Sequence, residues 1–71
     1  MQYTVIIEKE EATDWGAYVP DLPGCVAVGK TPEEVKLLIR EAIEIHLSGM
    51  REHGQAIPMA SSTAIVVEVA A

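Results

Sequence analysis

A single cysteine, Cys25, stands among 71 residues. That excludes an internal disulfide, and without a spaced Cys/His cluster there is no basis for a structural zinc site. Lysine and arginine number 5 against 11 aspartates and glutamates, a formal net charge of −6. A binder of phosphate backbones needs clustered basic residues, so direct DNA binding is not expected. Gly24 and Gly29 stand alone, so no Gly-rich phosphate loop is present. No apolar run approaches the length that spans a bilayer. The start, Met1-Gln2-Tyr3-Thr4-Val5, lacks the basic and apolar regions of a signal peptide. A lone free thiol suits a reducing compartment, and the expected location is cytoplasmic. Neither repeat nor linker appears, and residues 1–71 read as one domain with no C-terminal DNA-binding domain.

What is present is an apolar fraction of 49%. A chain this short buries only about 60% of its unfolded surface. With disulfide and metal excluded, self-association is the remaining support, and a homodimer is expected. The acidity is compatible with a basic protein partner, because complementary charge steers association. It is equally compatible with plain solubility.

The densest structural signals lie between Tyr18 and Val35. Pro20 cannot donate a backbone hydrogen bond, so a strand ends near it or lies on an edge. Pro23-Gly24 is a turn signal, because proline sets φ and glycine tolerates positive φ. Cys25 to Val28 is a short apolar run of strand type, broken by Gly29. Thr31-Pro32-Glu33-Glu34 reads as a helix start: Thr31 as N-cap, Pro32 in the first turn, Glu34 as the capping-box acid.

Around this centre the chain reads as strand, strand, strand, helix, strand. Gln2 to Glu8 is a strand with Tyr3, Val5 and Ile7 on one face, and Trp15 to Val19 returns as its hairpin partner. The helix is expected from Pro32 to about Ser48, some 25 Å long. Val35, Leu38, Ile39, Ala42 and Ile45 make its packing stripe, with Lys36, Arg40 and Glu44 opposite. Gly49 is expected to weaken or end the regular helix, with Met50 to His53 as a further turn before Gly54 stops it. Leu37 and Leu47 do not fit the stripe. They are either isolated exposed leucines or a subunit or partner contact. Thr63 to Val69 is apolar on both faces, which suits a central or dimer-covered strand. One helix on a mostly antiparallel sheet is an α+β arrangement, order βββαβ.

The run Tyr18…Pro20-Asp21-Leu22-Pro23-Gly24-Cys25, then Gly29-x-Thr31-x-Glu33-Glu34, resembles the HicB antitoxin family of bacterial and archaeal toxin–antitoxin pairs. The likeness continues through Ala42-Ile43-x-x-His46-Leu47, Gly54 and Ile57-Pro58, and so covers nearly the whole chain. The resemblance implies the same element order, in a fold likened to a reduced ribonuclease H core. It implies no cofactor, no catalysis, and a small basic HicA-like partner that cuts messenger RNA. The mechanism it implies is occlusion of that toxin's RNA-binding face by an acidic surface. Within it Pro20, Asp21, Pro23, Gly24, Cys25, Gly29, Thr31, Glu34 and His46 are structural positions.

Chemistry-bearing residues are sparse. His46 sits in the apolar stripe, where a histidine more often packs than acts as base or ligand. His53 is seven residues further on, too far for helical metal pairing. Cys25 lies in an apolar run and reads as a small hydrophobe. Glu8, Glu41, Glu44 and Glu68 are the acids a ribonuclease H-like two-metal nuclease would need, and their placement does not favour convergence. Glu10, Glu11 and Asp14 form an acidic hairpin tip beside Trp15. That tip reads either as a solvated turn or as a contact for a basic partner with Trp15 as aromatic anchor. The readings carried forward are a toxin-neutralising binding domain, a metal-dependent nuclease, and a solitary self-associating module.

Overall fold

A computed structural model describes residues 1–10 and 14–70. Three strands, β1 (Ile6–Lys9), β2 (Trp15–Tyr18) and β3 (Val26–Gly29), precede one helix, α1 (Pro32–Glu52). The sheet is an antiparallel meander in the order β1-β2-β3, with Ile7 opposite Ala17 and Ala17 opposite Ala27. Strand alternation sends Ile7, Ala17 and Ala27 to one face, and α1 covers it, chiefly over β3 and then β2.

The strands are shorter or shifted relative to the sequence expectation, for a backbone reason. Continuing the β1–β2 register beyond Ile6–Tyr18 would set Thr4 against Pro20, which has no N–H to offer. The ladder stops there, although Tyr3, Val5 and Ile7 still face one hollow together. The turn into β3 forms as its residues dictate. Cys25 N–H donates to Leu22 carbonyl oxygen at 3.0 Å, and Gly24 has φ +85. That is the positive φ a Pro-Gly type II turn requires at its third residue. Leu22, between two turn signals, is 0% exposed and a centre of the core.

The helix begins on the expected cap: Thr31 Oγ1 accepts from Glu34 N–H at 3.0 Å. Glu34 reaches back to Lys30 N–H at 2.7 Å, one residue beyond the usual capping-box donor. Gly29 lies directly beneath this turn. A Cβ there would stand 3.0 Å from the Val35 backbone nitrogen, so glycine gives β3 its close approach to the helix start. The far end runs to Glu52 rather than Ser48, because Gly49 sits inside the helix without breaking it. Gln55 N–H donates to Met50 oxygen at 2.8 Å and Gly54 N–H to Arg51 oxygen at 3.1 Å. With Gly54 at φ +67, this is a Schellman stop.

The buried face of the helix is rotated from the expected stripe. Val35, Ile39 and Leu47 are buried, with Ala42, Ile43 and Met50 packed against them. Leu38 and Ile45 are exposed instead. The fourfold series Val35-Ile39-Ile43-Leu47 meets the sheet, so Leu47 belongs to the core rather than to an outer flank.

The expected fourth strand does not form. Among the described residues 55–70 have no strand pairing, and the order is βββα rather than βββαβ. The class remains α+β. Among the described residues no strand pairs with residues 63–70, and Val66 is 101% exposed. A strand apolar on both faces needs neighbours on both, which a single small sheet does not supply.

Candidate functional site

The outward face of α1 is defined by the phase of its buried one. Leu37, Glu41, Glu44, Ile45, Ser48 and Glu52 follow one another at helical spacing and are all exposed. Leu37 is 65% and Ile45 73% exposed, far above the core residues of the same helix. This line mixes carboxylates with aliphatic side chains and contains no lysine or arginine. Arg40 and Arg51 border it, and Arg40 Nε lies 3.9 Å from Glu44 Oε1, a loose i,i+4 pair. Such a face can offer hydrogen-bond acceptors and apolar contact to a basic protein surface.

The sheet offers a second apolar area. On the face away from α1, Tyr18 lies between Ile6 and Val26, and Val28 stands opposite Gly16. Tyr18, Val26 and Val28 are all exposed. The alternation that buries Ala17 and Ala27 dictates this row, but a count of apolar residues alone does not distinguish it from core.

The hairpin tip is engaged within the fold. Asp14 Oδ1 lies 3.2 Å from Lys30 Nζ. Glu10 N–H donates to Asp14 oxygen at 3.0 Å, and the Glu10 carboxylate lies over Gly16. Trp15 is half-buried and packs against the core cluster, so its ring is not a free-standing anchor. Glu11 lies outside the described residues.

Asp21 is the most heavily bonded side chain of the motif stretch. Its carboxylate accepts from Ser61 N–H and Ser62 N–H, each at 3.0 Å, and from the two serine hydroxyls at 3.0 and 2.9 Å. The two backbone amides, Ser62 foremost, favour the charged form and hold its pKa at about 2. Tyr3 Oη donates to Pro58 oxygen, and Thr4 Oγ1 donates to Ser62 oxygen at 2.8 Å. These bonds fasten residues 58–62 across the segment that precedes β1 and the β2–β3 turn. The Pro-Asp-Leu-Pro-Gly run therefore has two jobs: Leu22 fills the core, and Asp21 latches a segment some forty residues away.

Cys25 is buried and burial pushes its thiol pKa up, the opposite of what a nucleophile needs. His46 is half-buried on the helix. His53 caps α1, with Nδ1 2.8 Å from Gly49 oxygen. Glu8, Glu41, Glu44 and Glu68 are exposed on β1, α1 and the C-terminal segment. Among the described residues no three His, Cys, Asp or Glu side chains come together as a metal site would require. None of the described helices is long and apolar enough to cross a membrane.

The family model described as the HicB-like antitoxin of bacterial toxin–antitoxin systems matches residues 3–70. A UPF0150 protein of Thermoplasma acidophilum is 40% identical over 67 residues, covering 94% of this chain and 97% of its own length. A UPF0150 protein of Synechocystis is 39% identical over 56 residues, covering 79% of this chain and 71% of its own. A 14.9 kDa protein from the rep-hol intergenic region of Haemophilus phage HP1 is 40% identical over 58 residues; the match covers 82% of this chain and 43% of the phage protein. No solved structure matches.

Proposed function

The chain belongs to the HicB-like antitoxin family, and from that premise we propose that it neutralises a small basic HicA-like ribonuclease by covering that toxin's RNA-binding face. The family match over nearly the whole chain carries this reading. The net charge of −6 supports it, since an acidic surface competes with RNA phosphates for the same basic groups. The role is one of binding rather than catalysis, and it needs no cofactor.

The contact we assign centres on the outward face of α1. Leu37 and Ile45 supply apolar contact, and Glu41, Glu44 and Glu52 supply acceptors. The hairpin tip of Glu10, Glu11 and Asp14 contributes rim charge, with Trp15 behind it. Leu47 lies beneath the helix and supports this face from the core.

The test is co-purification of the chain with the product of any small basic reading frame beside its gene, followed by an RNA-cleavage assay. A stoichiometric complex that suppresses cleavage is expected. Leu37→Asp together with Glu41→Lys should weaken the complex while leaving the far-ultraviolet circular dichroism unchanged. A basic neighbour that cuts RNA equally well with and without this chain would overturn the proposal.

A further inference from the structure

The hollow between β1 and α1 is lined mostly by apolar side chains, and the chain carries a segment suited to fill it. Tyr3, Val5 and Ile7 form one wall, and Ile39, Ile43 and Leu47 form the other. Its volume is about 560 Å³. It is open because α1 packs chiefly on β3 and then β2, so the β1 side of the sheet is the least covered. β1 is also an edge strand, with β2 on one side and, among the described residues, no strand on the other. An open edge beside an apolar trough is a template for one more strand.

The segment from Thr63 to Val69 has that character. Ile65, Val67 and Val69 alternate with Ala64, Val66 and Glu68, and β-branched residues dominate. It runs on without a turn, and every residue from 63 to 70 is exposed. The fold is correspondingly long, 48 × 27 × 16 Å, with a radius of gyration of 13.9 Å. A compact chain of this length has a radius of gyration of about 11 Å. The root of the segment is clamped. Asp21 and Thr4 hold Ser61 and Ser62, so the arm leaves its own body from a fixed point rather than lying back along it.

We propose that the arm, Thr63–Val69, of a second copy of this chain adds to the outer edge of β1 and lays Ile65, Val67 and Val69 into the β1–α1 hollow, each copy giving its arm to the other. The exchange is reciprocal, so the interface is the same on both subunits and closes as a dimer. It supplies the fourth strand from the partner and covers the apolar residues that a single copy leaves in water. Exchange of an identical element costs little, because the contacts use surfaces already present in each copy.

Sedimentation-equilibrium runs on the full chain across a concentration series, with Val67→Asp beside it, test the exchange. A dimer is expected for the parent. For Val67→Asp the dissociation constant should rise at least about 100-fold, since a carboxylate would have to enter an apolar trough. A disulfide experiment fixes the geometry. Arg40→Cys, at the rim of the hollow, is mixed with Val67→Cys under oxidising conditions, and a cross-linked species of dimer mass is expected. A parent that is monomeric throughout overturns the proposal. So does a dimer that tolerates Val67→Asp, or one in which the mixed cysteines do not join. A chain bearing both cysteines that closes on itself as a monomer at high dilution would place the arm in its own hollow, and would overturn it too.

Discussion

Leu22 and Leu37 allow the same chemical change to be made in opposite surroundings. Leu22 is 0% exposed and Leu37 is 65% exposed. Truncating a fully buried leucine to alanine removes its transfer free energy and leaves a cavity, together about 2–5 kcal/mol. Truncating an exposed one away from special features changes stability by about 0.5 kcal/mol or less. A chain of 71 residues has a total stability of about 4–11 kcal/mol at the usual value per residue. Leu22→Ala would therefore consume a large share of it. At about 4–8 °C per kcal/mol for a domain this small, a loss of about 3 kcal/mol lowers Tm by about 12–24 °C. Leu37→Ala should leave Tm within a few degrees. The assay is urea and thermal unfolding by circular dichroism, with all variants at one protein concentration because self-association would couple Tm to it. The reasoning fails if Leu22→Ala costs less than about 1 kcal/mol, or if the two variants fall together. Either result would mean that the turn between Pro20 and Gly24 does not insert its leucine into the core.

Thr31→Ala should lose about 0.5–2 kcal/mol by urea denaturation, and Thr31→Asp should retain most of it, because the cap needs an oxygen acceptor for Glu34 N–H. The Asp21 latch should follow a depressed carboxyl pKa: folded about 2 against an ordinary 3.8. Its stabilising contribution is thus complete above the ordinary value and is lost as pH falls through about 2. Amide exchange at Ser61 and Ser62 reads it directly: Asp21→Ala should accelerate both amides at neutral pH while the α1 amides stay protected. Cys25 should react slowly with a thiol reagent in the native state and rapidly in urea, since burial both shields the thiol and raises its pKa. Gly29→Ala should destabilise, because its Cβ would press on Val35 backbone at 3.0 Å, and backbone yields less readily than a side chain.

Local signals carried well from residues to structure where the interaction was itself local. Thr31 caps the helix, Pro32 opens it and Gly54 stops it, all within a few residues of one another. Pro23-Gly24 makes its turn for the same reason. The helix phase was less legible. Val35, Leu38, Ile39, Ala42 and Ile45 form a plausible stripe, but so do Val35, Ile39, Ile43 and Leu47. Only the position of β3 and β2 decides which of them meets the sheet. Asp14 and Trp15 read in the sequence as part of a tip that is either solvated or a partner contact; in the fold Trp15 packs against the core cluster and Asp14 pairs with Lys30. The role of Asp21 could have been suspected from a lone acid within an apolar turn, but its partners, Ser61 and Ser62, lie far along the chain.

The α+β class, the three-stranded meander, the start of the helix and the family are all legible in the residues alone, because each rests on short-range backbone chemistry or on an ordered series of motifs. Long-range packing settles which helix face is outward, that Asp21 latches the C-terminal segment, and that Thr63 to Val69 stands away from its own sheet. Those outcomes depend on which surfaces meet across long separations. A strand-forming sequence specifies that a segment wants neighbours on both sides, and not where in space those neighbours are.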